Sequence, residues 1–441
     1  MRKILLLAII ALFVQIGFGQ IKVAPLNIKQ RTLPNGMKVV SVQDNSAPTV
    51  AIHVWYNVGS KDDPNGRSGF AHMFEHMMFK STKNMPNEKM DRLTEDVGGY
   101  NNASTYDDFT NYYEVVPSNY LETLLWAEAD RMVNLNVDEK NFASERDVVK
   151  EEFRQRILAN PYGMLFGQYL EKLSFTTHPY KRPGIGNLEE LQAATVEDAN
   201  NFYKTYYRPD NAVLIVVGDF EQAQFDAWTD KYFGKIVTNK MAIPRVTEVE
   251  PERTEEKRFT QTSPNVPFPA VAITYLAPTS KSEDIPALRI AETILASGES
   301  SRLYQSMART GIAQEASFYT DIRVDKGLLV FYAIASEGKT AEDLEKGILT
   351  ELRKIQNAFV SQNELVKAKN QLITRTLQER ETNDGKAGAI ERAVAYQGDP
   401  TAVNSDIQKL QNVTLADVQR VMKKYFTDKN RVVIYYQGET K

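Results

Sequence analysis

Two histidines and three glutamates in this chain are spaced for metal chemistry. His72 and His76 stand four residues apart in Gly69-Phe70-Ala71-His72-Met73-Phe74-Glu75-His76-Met77-Met78-Phe79-Lys80. That stretch is mostly apolar, has no proline and no internal glycine, and predicts a buried helix. Four residues is about one helical turn, so both imidazoles share a face, with Glu75 beside them. Two neutral nitrogens can bind one metal ion, and a carboxylate at that distance can take a proton from a water the metal binds.

The order His-x-x-Glu-His is the inverted zinc-peptidase motif. The alternative is a core helix with incidental polar residues. It fits poorly, because the chain has only four histidines (His53, His72, His76 and His178) and two fall in this one turn. Burying three ionisable groups together without a metal or a partner is costly. A third ligand is expected from Glu145-Arg146-Asp147-Val148-Val149-Lys150-Glu151-Glu152-Phe153. Helical spacing puts Ser144, Asp147, Glu151 and Arg154 on a polar face, and Glu145, Val148, Val149, Glu152 and Arg156 on a less polar one. A carboxylate on a buried stripe needs a cation. Glu152 is therefore the expected third ligand, supported by Glu145 two turns earlier on the same face. Without the histidine pair, an ordinary charged helix would be the better reading.

The elements that must position these residues fit within 441 residues, enough for two or three domains. Charged residues are 25% and hydrophobic ones 42%, and the net charge of −4 offers no basic footprint for nucleic acid. With no cysteine there is no disulfide framework, thiolate zinc site or cysteine nucleophile, so a metal must be held by His and carboxylate. Met1-Arg2-Lys3, an apolar run from Ile4 to Val14 and the small-x-small site Gly17-Phe18-Gly19 read as a signal peptide over 1–19. An uncleaved anchor is the alternative, but the run is short for a span. The expected location is exported and periplasmic, with no stable membrane span once the signal is removed.

Residues 31–42 predict a strand, an Asn-Gly turn and a second strand, and 50–56 a third, in which His53 is expected to be structural. Helices are expected over 87–97, 120–135, 138–158 and 188–207, with strands across 100–117 and a buried strand at 211–218. From 236 to 263 the composition shifts to charge, Thr and Pro, which reads as a linker. It separates a first domain (20–235) from a second (264–441).

The second domain repeats the first. Leu191-Gln192-Ala193-Ala194-Thr195-Val196-Glu197-Asp198 resembles Leu410-Gln411-Asn412-Val413-Thr414-Leu415-Ala416-Asp417, an offset of 219 from Thr195 to Thr414. The same offset pairs Ala51 with Ala270 and Tyr56 with Tyr275. It sets His72 on Ala291, Glu75 on Ile294, His76 on Leu295, Glu145 on Glu364 and Glu152 on Gln371. The second copy is thus expected to be non-catalytic, bracing or enclosing rather than reacting.

With these residues placed, the sequence resembles the pitrilysin/insulinase family of zinc peptidases, in particular short bacterial members related to the mitochondrial processing peptidase β subunit. The resemblance rests on Leu33-Pro34-Asn35-Gly36, on His72 to Lys80, on Gly98 to Pro117, and on Glu152 lying 76 residues after His76 and seven after Glu145. It implies an α+β fold of two homologous domains, each an antiparallel sheet packed with helices. It implies one Zn2+ per chain on His72, His76 and Glu152, with Glu75 as general base in a metalloendopeptidase. Asn101, Asn102, Ala103 and Ser104 would form the edge strand on which a peptide or unfolded polypeptide substrate adds as an extra strand. Family enzymes enclose substrate with four such domains, and this chain supplies two, so a second chain is expected. Small members often carry an Arg in the second domain followed about six residues later by a Tyr. Arg309 occupies that place, but its Tyr is missing and Tyr319 is out of register. That absence favours a heterodimer with a metal-free homologous chain over a homodimer. His178 is a candidate oxyanion donor, with a residue of a His-Pro turn as the favoured alternative. Two other readings are a peptide-binding or assembly subunit without turnover, and a metal hydrolase acting on something other than peptides.

Overall fold

A computed structural model describes residues 23–239 and 241–439; the expected signal segment, 1–19, lies outside the described residues. Among the described residues no helix is long and apolar enough to cross a membrane. The first half forms a six-stranded sheet of β1 (Lys29–Thr32), β2 (Lys38–Gln43), β3 (Thr49–Tyr56), β4 (Tyr100–Thr105), β5 (Thr110–Pro117) and β6 (Ala212–Gly218), ordered β1-β2-β6-β3-β5-β4. Its helices are α1 (Phe70–Met77), α2 (Lys89–Glu95), α3 (Leu121–Asn134), α4 (Glu139–Phe153), α5 (Leu170–Ser174), α6 (Leu188–Ala193), α7 (Val196–Tyr206) and α8 (Gln222–Tyr232). The second half has β7 (Lys257–Ser263), β8 (Ala270–Leu276), β9 (Ala313–Asp321), β10 (Leu328–Ala335) and β11 (Arg431–Gly438), ordered β7-β11-β8-β10-β9. Around it lie α9 (Ile285–Ala296), α10 (Ala341–Asn357), α11 (Gln362–Glu379), α12 (Asn383–Gln397), α13 (Asp406–Asn412) and α14 (Leu415–Tyr425).

Neighbouring strands run antiparallel except for one parallel pair in each sheet, β2 with β6 and β7 with β11. These partners are distant in sequence, so no tight hairpin dictates their direction. The strand registers repeat at the offset read from the sequence. Lys38 pairs with Val213 as Lys257 pairs with Val432, and Ala51 pairs with Val217 and Val115 as Ala270 pairs with Tyr436 and Ile334.

Three expectations change. The stretch 236–263 is irregular only as far as Glu256, because Lys257–Ser263 is β7, the counterpart of β2. Its residues alternate half-buried and exposed, and the charge that suggested a linker belongs to an edge strand, where charge is common. The repeat also slips by about a turn at α11, whose N-cap Ser361 lies 223 residues after the N-cap of α4, Asp138. The preceding helix is 17 residues long in the second half and 14 in the first, which accounts for most of that slip. Glu145 and Glu152 therefore match Ala368 and Arg375 by helix position rather than Glu364 and Gln371. Glu364 instead completes the cap of α11 with Ser361 and pairs with Arg302. Lastly, Val148 is 45% exposed, at the margin of the stripe that buries Glu145 and Val149.

The first sheet has two differently covered faces. Val50, Ile52, Val54 and Tyr56 of β3 face α1, α3 and α7. Ala51 and Trp55 face the other way, onto Ala387, Ile390, Ala393 and Val394 of α12 from the second half. Reciprocally, Leu165, Leu170, Phe175 and Tyr180 of the first half cover Ala270, Ala272, Val432 and Ile434 of the second sheet. Each half lends a segment to the other, and each large aliphatic side chain so buried contributes on the order of 1.5–3 kcal/mol.

Candidate metal centre

The sequence starts α1 where it does because of Gly69. Its φ of +91° lies in the left-handed region, and a Cβ there would sit 2.8 Å from the Ile185 carbonyl oxygen. Buried Asp63 accepts hydrogen bonds from the Gly69 and Ala71 amides at 2.6 and 2.8 Å, satisfying donors that the first helical turn leaves unpaired. Burial pushes the Asp63 carboxyl up to about 7, and the two amides pull against it. Phe70, Met73, Phe74 and Met77 are buried, with Phe74 against Phe202, Tyr203 and Tyr207. The apolar face of α1 thereby fixes the roll of the helix and turns His72 and His76 toward α4. That helix begins at Asp138, whose carboxylate accepts from the Asn141 amide at 2.8 Å, and it is anchored by fully buried Phe142 and Val149.

The structure brings His72, His76 and Glu152 together, with one donor atom of each within 4.8 Å of the others. Glu152 Oε2 lies 3.6 Å from His72 Nε2 and 3.4 Å from His76 Nε2. The two rings stand at 88° with centroids 5.0 Å apart. Zinc–ligand bonds of about 2.0–2.1 Å at tetrahedral angles put neighbouring donor atoms roughly 3.3–3.4 Å apart. The donor set fits zinc in both chemistry and spacing.

The surroundings act oppositely on the two rings: His72 is held neutral, whereas the carboxylates around His76 favour a cation there, a proton in the absence of metal. Burial depresses His72 to about 4, which keeps it neutral with a lone pair to offer. Burial would also lower His76, but Glu145 and Glu152 outweigh it and raise the imidazole to about 9. Glu145 Oε2 is 3.7 Å from His76 Nδ1, while its Oε1 meets Lys80 Nζ at 2.6 Å. Glu152 Oε1 meets Arg156 at 2.6 Å, which leaves Oε2 for the histidines. Burial raises Glu75 above the usual carboxylate range, and Thr105 at the end of β4 partly offsets this. Immediately after Glu152 the helix widens into a π-helical turn, Arg154–Leu158.

Lys80, Thr105 and Asp63 were not singled out in the sequence, and Arg156 was placed there only as a member of the less polar face of the helix. Lys80 and Arg156 each stand four residues after a ligand candidate, a helical spacing that carried the signal. Thr105 and Asp63 reach the site through tertiary structure and left no local mark. Asn101, Asn102, Ala103 and Ser104 lie on β4, the strand at the sheet edge beside α1. Asn101 turns inward to Thr94, Ala103 is buried, and Asn102 is exposed. Arg309 stands apart in the second half, exposed at the end of the turn Tyr304–Ala308. His178 stands in a His-Pro turn, as the favoured reading had it, capping the short turn Pro179–Lys181. It is fully buried, accepts from the Tyr180 amide through Nδ1, and has Nε2 3.3 Å from Asp325 of the second half. His53 bridges the halves, with Nδ1 2.7 Å from Glu391 and Nε2 3.1 Å from Asp384.

Residues 38–183 match the family described as Insulinase (Peptidase family M16), and residues 193–372 match the one described as Peptidase M16 inactive domain. The zinc protease PqqE of Helicobacter pylori is 31% identical over 407 residues, covering 92% of this chain and 91% of that protein. A protein of Arabidopsis thaliana named probable mitochondrial-processing peptidase subunit beta is 26% identical over 408 residues, covering 90% of this chain and 76% of its own length. Among solved structures, a protease from Helicobacter pylori superposes with a TM-score of 0.89 at 30% identity over 93% of this chain and 99% of that one. The periplasmic protease PqqL from Escherichia coli shares the fold at 18% identity, with a TM-score of 0.74 over 94% of this chain and 48% of that one.

Proposed function

The chain belongs to the insulinase family, peptidase family M16, and from that premise we propose that it is an exported zinc-dependent endopeptidase acting on peptides or unfolded polypeptides. The observation that carries the reading is the common focus of His72 Nε2, His76 Nε2 and Glu152 Oε2, with Glu75 on the same helix. Those three side chains would hold one zinc ion, and Glu145 would fix the ring of His76 from behind. Zinc, when bound, supplies Lewis acidity toward a water molecule and a scissile carbonyl. Glu75 accepts the proton of the attacking water and returns it to the departing amine. Its raised affinity for a proton suits both halves of that exchange. A substrate segment lies along β4 as an added strand, its main chain bonding to the edge and Asn102 facing it.

The proposed assembly is a closed chamber made with a second chain, in the first instance a metal-free homologue. Arg309 without its Tyr supports this, as does the fold likeness to half of a chain about twice as long. Export rests on the basic and apolar start of the sequence, and N-terminal sequencing of protein secreted to the periplasm tests it.

The direct test is hydrolysis of a quenched-fluorescent peptide library by the mature chain beside Glu75→Gln. The variant should keep its zinc and lose turnover by roughly 10²-fold or more; full turnover in it sinks the mechanism. The match of 193–372 to an inactive domain gives weight to a second reading, a peptide-binding subunit. Zinc-loaded wild type that stays silent even with a co-expressed homologue favours that reading.

A further inference from the structure

α1 and α9 are counterparts in the two halves, yet they begin differently. Both end at equivalent residues, Met77 and Ala296, which stand at the repeat offset of 219. At that offset α9 starts four residues, about one turn, before α1 does. Pro286 lies in the first turn of α9, and Asp284 at its N-cap caps nothing, turning instead to Arg420, Lys424 and Tyr425. In the half that carries His72 and His76, this first turn is absent and a loop leads straight to Gly69. The carboxylate of Asp63 closes the shortened end. Its Oδ2 accepts from the Gly69 amide at 2.6 Å and its Oδ1 from the Ala71 amide at 2.8 Å, so both oxygens are used. At the offset, Asp63 becomes Ser282, whose hydroxyl accepts from the Asp284 amide within its own loop. The carboxylate cap therefore belongs to the copy with the metal-binding residues.

The loop that bears Asp63 also holds the edge strand. The Ser60 and Lys61 amides donate to the Tyr106 and Asp107 carbonyls, each at 3.1 Å, and Ser60 Oγ donates to Asp107 Oδ1 at 2.7 Å. Gly59 lies flat against those two carbonyls, and a Cβ there would come within 2.4 Å of both. Residues 106–108 form the turn that leaves β4. The second half grips the same turn, with Arg323 3.2 Å from the Asp107 carboxylate and the Val324 amide donating to Asp108 at 2.9 Å. Residues 59–63 are thus fastened to the end of β4 through Ser60 and Lys61, and to the start of α1 through Asp63. A metal site tolerates misplacement of only about 0.5 Å, and a two-turn helix with an open end frays from that end.

We infer that Asp63 is a positioning residue that sets the axial place of α1, and with it His72 and His76, against Glu152 and β4. The inference rests on the proposed metal centre, so its first readout needs no metal. The mature chain labelled with 13C-histidine has four imidazoles to follow by NMR, those of His53, His72, His76 and His178. Metal-free wild type is compared at pH 8 with Asp63→Asn, which turns an NH2 group toward an amide that had an acceptor. The His72 and His76 signals should shift, while those of His53 and His178, which lie outside α1, stay in place. A loss of stability without repositioning would leave all four unmoved. Co2+, titrated as a spectroscopic stand-in for zinc, should bind the variant roughly tenfold or more weakly, with altered visible absorption bands. Ser60→Ala loosens the loop at its other end with the cap intact. It should move the same two signals, and it guards against a folding defect in the first variant. Unmoved His72 and His76 signals, or cobalt affinity and bands equal to wild type in both variants, overturn the inference. Wild type that takes up no cobalt counts against the metal-centre reading, and the histidine signals still decide whether Asp63 places α1.

Discussion

His53 joins the two halves by a charge, and that makes the joint sensitive to alkali. Burial alone would lower its pKa, but Asp384 and Glu391 of α12 outweigh burial and raise it to about 9 from an ordinary 6.5. Asp384 is correspondingly held below the usual carboxylate range by His53. Tyr113 of β5 also faces the ring, with centroids 5.3 Å apart. A folded-state pKa raised above the unfolded value stabilises fully below pH 6.5, and the stabilisation is lost as pH climbs through 9. At about 1.4 kcal/mol per unit, the full contribution is about 3 kcal/mol, falling to about 1 kcal/mol at pH 8 and near zero by pH 10. The measurement is urea unfolding of wild type and His53→Gln at pH 6, 7, 8 and 9. Glu171, pushed by burial up to about 8, and Asp63, at about 7, titrate in the same window. They do so in both proteins, and subtraction removes them. The stability gap between wild type and variant should shrink by about 2–3 kcal/mol between pH 6 and pH 9. A gap that stays constant across that range refutes the charge-pairing argument and leaves His53 as a packing residue.

Gly69→Ala forces a Cβ against the Ile185 carbonyl at a positive φ. It should cost roughly 1–2 kcal/mol or more in urea denaturation, with a fall in zinc retention as α1 shifts. Glu152→Gln should reduce bound zinc at least tenfold by elemental analysis after dialysis, while Glu75→Gln retains it; equal zinc in both proteins removes Glu152 from the ligand set. Arg131 is buried between Glu114, at 3.0 Å, and Glu128. Arg131→Met strands two carboxylates in the core and should destabilise by about 3–5 kcal/mol. A loss under about 1 kcal/mol would refute the need for a buried cation there.

The metal-centre candidates were legible because their signals are local. His72, Glu75 and His76 sit within one turn, and Glu145 and Glu152 are separated by seven residues on one helix, so helical period alone aligns each set. What joins α1 to α4 is packing by Phe142 and Val149, which spacing does not reveal. The strand at 257–263 was missed for a different reason. Its composition is that of an edge, polar and charged, and composition is a poor guide where a strand is half solvated. The offset of 219 applied to Lys38–Gln43 points straight at it, so the information lay in the repeat rather than in the stretch itself.

The same repeat separates what the fold requires from what function added. Positions that keep their character at the offset, such as Tyr56 and Tyr275 or Ala51 and Ala270, are buried in both sheets and hold the architecture. Positions that lose polarity in the second copy include a first group, His72, Glu75 and His76, which become Ala291, Ile294 and Leu295, and a second, His53 and Asn111, which become Ala272 and Val330; Glu114, paired with Arg131, likewise becomes Ala333. A buried polar group is costly unless something repays its desolvation. The first group has its answer in the zinc ion proposed on one face of the sheet. The second lies on the opposite face and is shared with α12. Its polarity belongs to the docking of the two halves, in which His53 meets Glu391 and Asp384 of α12 and Asn111 meets Glu391, just as the other interface adds Arg323 against Glu171 and Asp107, and His178 against Asp325, to its apolar contacts.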